Sequence, residues 1–354
     1  MKTLDKNQIM NLAYGASFLS TGGGGTRSAG LNLIEPDIES GIRFQLASFN
    51  ELEEDDIVVS PYYVGAVGQS STSHGTADTA HGATRLLRDY IGCKLGGIIA
   101  AELGGFATLG ALHVAGLEGI PLVDADAAGR AAPDLQCSMF YVSGLSMTPF
   151  SVFTQQKDQL IVKEISSDAQ AELVVRGIAS VIGSSVGICD HPGRVREIKR
   201  ASISNTISKS IDIGKIVQKG SIEDLLEFGS IHKLFRGVLK SSKHEIKEGF
   251  TYGNYVLEGT EEFVGKRMKV WFKNENLMSW VDDKVYVTSP DLITITSLDL
   301  VPTSNPIRED GGEYFVFGLP SDSKWRNLKG LEVMSPRFFG FDYDYKPIEK
   351  VIGK

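Results

Sequence analysis

Three apolar runs, IVVS at 57–60, LGGIIAA at 95–101 and IPLV at 120–123, are separated by stretches of helical spacing at Ala80–Tyr90 and Phe106–Leu117. Short buried strands that alternate with helices cannot pair as hairpins. They read as β-α-β units of a parallel sheet covered on both faces. Ahead of them, Asp5 can cap a helix through Ile9, Leu12, Ala13, Ala16 and Leu19. A run of four glycines stops that helix. A second helix is expected from Thr26 and should end before Pro36, followed by a strand over Arg43–Phe49. VFTQQKDQLIVKEI reads as a hairpin, Asp168–Ile182 as an amphipathic helix, and a Ser- and Lys-rich helical stretch runs on to about Gly229.

Beyond His232 the pattern changes to closely spaced alternating runs: KLFRGVLK, YVLEGTEEF, MKVWFKNE, KVYVTS, LITITSL and YFVFGL. That is an all-β pattern. The expected fold class is therefore α/β: a largely parallel sheet domain over 1–230 and a second, β-rich C-terminal domain over 231–354.

A formal net charge of −8 and the lack of a basic stripe argue against a nucleic-acid partner. Leu135–Gln156 is free of charge but broken by Ser, Thr, Gln and Pro149, so a membrane span is not expected. The segment MKTLDKNQIM lacks the apolar core of a signal peptide, and three widely spaced cysteines suit a reducing compartment. A cytoplasmic protein, assembled as a homo-oligomer, is expected.

Ligands of open α/β sheets bind beyond the carboxyl ends of the strands. The strand ends here deliver Glu102 with Gly104 and Gly105, and then Asp124 and Asp126 with Arg130. Glu102 can serve a small molecule or cap the next helix. Asp124 and Asp126, two apart on a strand, should face the same side. Held together, they can divide acid and base duties or bind a divalent ion; with Arg130 they can also form a structural bridge. Gly22, Gly23, Gly24 and Gly25 precede a helix, so their amides can cradle an anion or a carbonyl oxygen, although a flexible hinge reads equally well. No strand precedes them and no Lys-Ser/Thr follows, so a nucleotide cofactor is not expected. His74 is a candidate substrate contact, set against the commoner structural role of a lone histidine.

GASFLSTGGGG, AELGG, GIPLVDADAAGRAAPDLQ, KNENL, TSPDLI and SPRFFGFDYDY occur in this order. Together they resemble the S-methyl-thiohydantoin desulfurase family, from Gly15 to about Tyr345. The resemblance implies an α/β domain followed by a β-rich one. It also implies removal of a methylthio group from a small cyclic urea analogue, leaving a hydantoin. Gly22–Gly25, Glu102, Gly104, Gly105, Asp124, Asp126, Gly129, Arg130 and Pro133 match its patterned positions. Two departures stand out. Gly65-Ala66-Val67 replaces Gly-Ala-Pro, and Ala128 and Ala132 replace larger side chains in the Asp-rich loop, which would widen a pocket there.

Two functions follow as expectations. In the first, the chain is a hydrolase or lyase of a small cyclic urea or amide. Glu102, Asp124 or Asp126 would act as base, Arg130 would orient the substrate, and the glycine amides would meet developing negative charge. In the second, it is a non-catalytic accessory subunit or ligand-binding partner of a hydantoinase-like enzyme.

Overall fold

The computed structural model describes residues 1–65, 77–307 and 311–353. Its first sheet contains β1 (Lys2–Leu4), β2 (Phe44–Ala47), β3 (Ile57–Val64), β4 (Leu95–Ala100), β5 (Leu122–Asp126), β6 (Phe150–Phe153), β7 (Gln159–Val162), β8 (Val186–Arg194) and β9 (Ile203–Ser204). The strand order is β1-β2-β5-β4-β3-β8-β6-β7, with β9 paired to β5. β2, β5, β4 and β3 are parallel neighbours at the centre, and antiparallel strands extend both edges.

The α-helices described in this part are α1 (Lys6–Leu19), α2 (Arg27–Glu39), α3 (Ala77–Ile91), α4 (Ala107–Glu118), α5 (Met139–Val142), α6 (Asp168–Ile182), α7 (Val195–Arg200), α8 (Thr206–Lys219) and α9 (Ile222–Glu227). α1 starts at a reciprocal cap: Gln8 N–H donates to Asp5 Oδ1 at 2.8 Å and Asp5 N–H to Gln8 Oε1 at 3.1 Å.

The second sheet is wholly antiparallel: β10 (His232–Lys247), β11 (Phe250–Gly259), β12 (Arg267–Lys273), β13 (Glu275–Val281), β14 (Lys284–Thr288), β15 (Leu292–Ser297) and β16 (Glu313–Leu319). Its order is β14-β13-β12-β11-β10-β16-β15. The α/β sheet part and the β-rich part expected from the sequence are both present. They are joined through α1: Phe18 packs its ring 5.8 Å from that of Phe317, and Thr294 Oγ1 donates to the Phe18 carbonyl at 2.6 Å. Among the described residues, no helix is long and apolar enough to cross a membrane.

Three local expectations need correction. α2 runs past Pro36 to Glu39, its last turn closed by Ser40, whose N–H and Oγ both donate to the Pro36 carbonyl at 2.9 and 2.7 Å. β3 does not stop at Ser60 but continues through Pro61 to Val64, held by antiparallel pairing with β8. β8 itself, VGICDHPGR, lies within the stretch read as helical; its Gly, Asp and Pro conceal a strand buried in the sheet.

Candidate active site

A cavity of about 410 Å³ opens where the ends of β3, β4 and β5 meet the glycine loop and the edge of the second sheet. Gly22, Gly23, Gly24 and Gly25 all line it. Three of the four glycines have positive φ, 96° at Gly22, 63° at Gly24 and 73° at Gly25, which glycine adopts without steric cost. Neighbouring backbone pins it on both sides. Asn305 N–H donates to the Gly22 carbonyl and Asn276 N–H to the Thr21 carbonyl, each at 2.8 Å. The Gly24 carbonyl accepts the amides of Phe106 and Ala107, at 3.1 and 3.0 Å, at the start of α4. A Cβ on Gly23 would overlap Glu275 Oε1. Gly104 and Gly105 pack behind the loop and do not line the cavity.

Glu102 reaches the cavity wall, where its Oε2 accepts the Ala132 amide at 2.9 Å. Loss of solvent pushes its carboxyl up to about 7; the Ala132 hydrogen bond opposes the shift, and the Asp126 charge adds to it. Glu275, on β13, is buried beside it, and its Oε2 has no hydrogen-bond partner. Burial and the Glu102 charge hold that carboxyl well above the usual range.

Asp124 and Asp126 do share a face, as their spacing requires, but the face looks toward α8. Asp124 Oδ1 accepts the Ser208 amide at 2.9 Å in the first turn of α8 and borders a separate cavity of about 320 Å³. Asp126 is fully buried and accepts the amides of Ala128 and Gly129 at 2.9 and 2.7 Å. Its Oδ1 faces Thr206 without a well-aligned hydrogen bond, and burial pushes its carboxyl up to about 7. Of the three acids, only Glu102 lines the cavity with the glycines.

Arg130 pairs with none of them. It is fully buried and spends its donors on carbonyl and hydroxyl oxygens. Nη1 bonds Pro290 O at 2.9 Å and Asp291 O at 3.2 Å; Nη2 bonds Thr21 Oγ1 at 2.9 Å and Asn276 O at 3.2 Å. It fastens the Asp-rich loop to the second sheet and the glycine loop. Among the described residues, no group of three or more His, Cys, Asp or Glu side chains is placed to hold a metal ion. His74 lies outside the described residues, as do Ala66 and Val67. Ala132, one of the two shortened positions, does line the cavity.

The same wall carries a pair that sequence reasoning missed. On β8, His191 Nδ1 lies 2.8 Å from Asp190 Oδ1, and Tyr62 donates its hydroxyl to Asp190 Oδ2 at 2.8 Å. The imidazole packs 4.5 Å from the Phe140 ring, and its Nε2 is buried with no hydrogen-bond partner. The only signal was the polar pair Asp190-His191 following the apolar VGIC. Cys137 also borders the cavity, but its thiol donates to the Val333 carbonyl at 3.1 Å and burial pushes its pKa far up, so it is no ready nucleophile.

Fold and site together define a two-part protein, an α/β sheet joined to an antiparallel sheet, with a cavity at the strand ends where they meet. The chain belongs to the S-Me-THD-like family, that of the S-methyl-thiohydantoin desulfurases. The family's N-terminal domain model matches residues 7–164 and its C-terminal domain model residues 166–348. A crystal structure of a protein from Chromobacterium violaceum is similar over 98% of this chain and 100% of that chain, with a TM-score of 0.81 and 21% identity. At that identity the likeness is one of fold. No curated protein matches the chain.

Proposed function

We propose that the protein is a hydrolase that replaces the methylthio group of a small S-methyl-thiohydantoin-like ring with oxygen from water. The observation that carries this reading is Glu102, a carboxyl pushed up to about 7 on the wall of a cavity it shares with the glycine loop. A group near that value can hold a proton at neutral pH and give it to a ring nitrogen. Water adds to the carbon bearing sulfur, and the electron pair of the C=N bond moves to the nitrogen, which takes the Glu102 proton. Collapse of the tetrahedral carbon then returns the hydroxyl proton to Glu102 and expels the sulfur, which leaves as methanethiol with the water's other proton, giving a hydantoin carbonyl. The volume is in the ~300–1,000 Å³ range of small-molecule sites. Asp124, Asp126 and Arg130 support this site through α8 and the second sheet rather than by touching the ring. Three free cysteines support a reducing, cytoplasmic setting.

The test is release of methanethiol, read with a thiol reagent, together with mass-spectrometric detection of the hydantoin. Turnover by purified protein is expected. Binding of the ring without any thiol release would instead favour an accessory ligand-binding role.

A further inference from the structure

We propose that His191 is the general base that takes the proton from the attacking water. This rests on the hydrolytic reading above and names the group that activates its water.

His191 is 5% exposed and held on three sides. Asp190 lies at Nδ1, the Phe140 ring packs against the imidazole at a tilt of 36°, and the His191 amide donates to the Met147 carbonyl at 3.2 Å. Asp190 receives the Tyr62 hydroxyl on its other oxygen, so it acts as an acceptor on both sides and Nδ1 carries the proton. That tautomer leaves a lone pair on Nε2. A histidine kept only for packing would be expected to satisfy both ring nitrogens, because an unmet buried polar atom is costly. Here Nε2 is unmet, and the residue borders the cavity that Glu102 also borders. The backbone at His191 is left-handed, with φ of 47°, an uncommon conformation for a side chain of this size. Carboxylate, imidazole and an unbonded ring nitrogen together form the orienter-and-base arrangement that activates hydroxyls and water in hydrolases.

In the reaction, Nε2 accepts a proton from water as its oxygen bonds to the ring carbon. The imidazolium then gives that proton to the departing methanethiolate. Glu102 cycles its own proton through the ring nitrogen and the new hydroxyl, so both groups end as they began. The net change is one water consumed and one methanethiol released. Among the described residues, the charged or titratable groups around the imidazole are Asp190, Tyr62 on β3, which reaches Asp190, and Asp168 at the start of α6.

The decisive variant is His191→Gly, since glycine accepts the left-handed backbone and vacates a space the shape of imidazole. Relative to wild type, kcat for methanethiol release should fall about 10²–10⁴-fold, with KM little changed. Added imidazole should restore part of the loss, and the restored rate should follow the neutral form of imidazole as pH is varied. A merely structural histidine would not be rescued in this way. Asp190→Asn serves as a second variant: its amide can donate to Nδ1, which reverses the tautomer and should lower kcat comparably without loss of fold. Wild-type turnover with full activity in either variant overturns the base assignment alone. Absence of any wild-type thiol release overturns the hydrolytic reading and the base with it.

Discussion

Gly24 and Gly104 meet backbone to backbone: a Cβ on Gly24 would lie 2.6 Å from the Cα of Gly104. The contact seats the glycine loop on the turn after β4, the same turn that delivers Glu102. Gly104→Ala must push these backbones apart. The expected cost is about 1–3 kcal/mol, as for other overpacked sites, with a distorted cavity floor and reduced turnover. Urea unfolding checks it; an unaltered midpoint would mean that the loop yields freely.

Glu102 makes stability depend on pH in a predictable direction. Its carboxyl rises from an ordinary value of about 4.3 in the unfolded chain to about 7 in the folded one. The folded state therefore binds the proton more tightly. The stabilisation is complete below about pH 4 and is lost as pH climbs to 7. Glu102→Gln stays neutral throughout, so its stability relative to wild type should rise between pH 5 and pH 8. A difference that stays flat across that range would show the carboxyl to be unperturbed. The same variant should lose about 10²–10⁴-fold in turnover, since an amide cannot supply the proton.

Arg130→Ala should act through the fold. It strips partners from the buried carbonyls of Asn276, Pro290 and Asp291, each worth about 1–3 kcal/mol when left unmet. We expect a loss of several kcal/mol in denaturant titrations. Normal stability combined with a raised KM would instead put the guanidinium in contact with substrate.

Asp124→Ala should cost about 1 kcal/mol, the usual value of a lost helix cap, because the carboxylate meets the Ser208 amide at the start of α8. Turnover should remain close to wild type. A large kinetic defect at unchanged stability would tie the smaller cavity to catalysis.

The central strands were legible because buried parallel strands are continuous apolar runs, and 57–60, 95–101 and 120–123 are such runs. β8 was not. It is a buried strand that contains Gly187, Asp190, His191, Pro192 and Gly193, and only its pairing with β3 and β6 defines it. The site divides along the same line. Glu102 could be placed from its position at a strand end. The shared face of Asp124 and Asp126 followed from strand parity, yet parity cannot tell which helix packs against that face. Arg130 suggested a carboxylate partner by charge, whereas its acceptors on the second sheet are carbonyls 146 to 161 residues further along the chain. His191 needed both β8 and the fold of Asp190 and Tyr62 around it.

Closure of those distant carbonyls over a guanidinium has one more consequence. Alone, the first part would leave Arg130 facing water, and the loop it steadies would lose the anchors at Asn276 and Asn305. The second part, alone, would offer bare acceptors and the buried carboxyl of Glu275 with nothing to cover it. Each piece supplies partners that the other's buried polar groups need. A break in the chain between them would leave two fragments, each with buried polar groups that only the other covers.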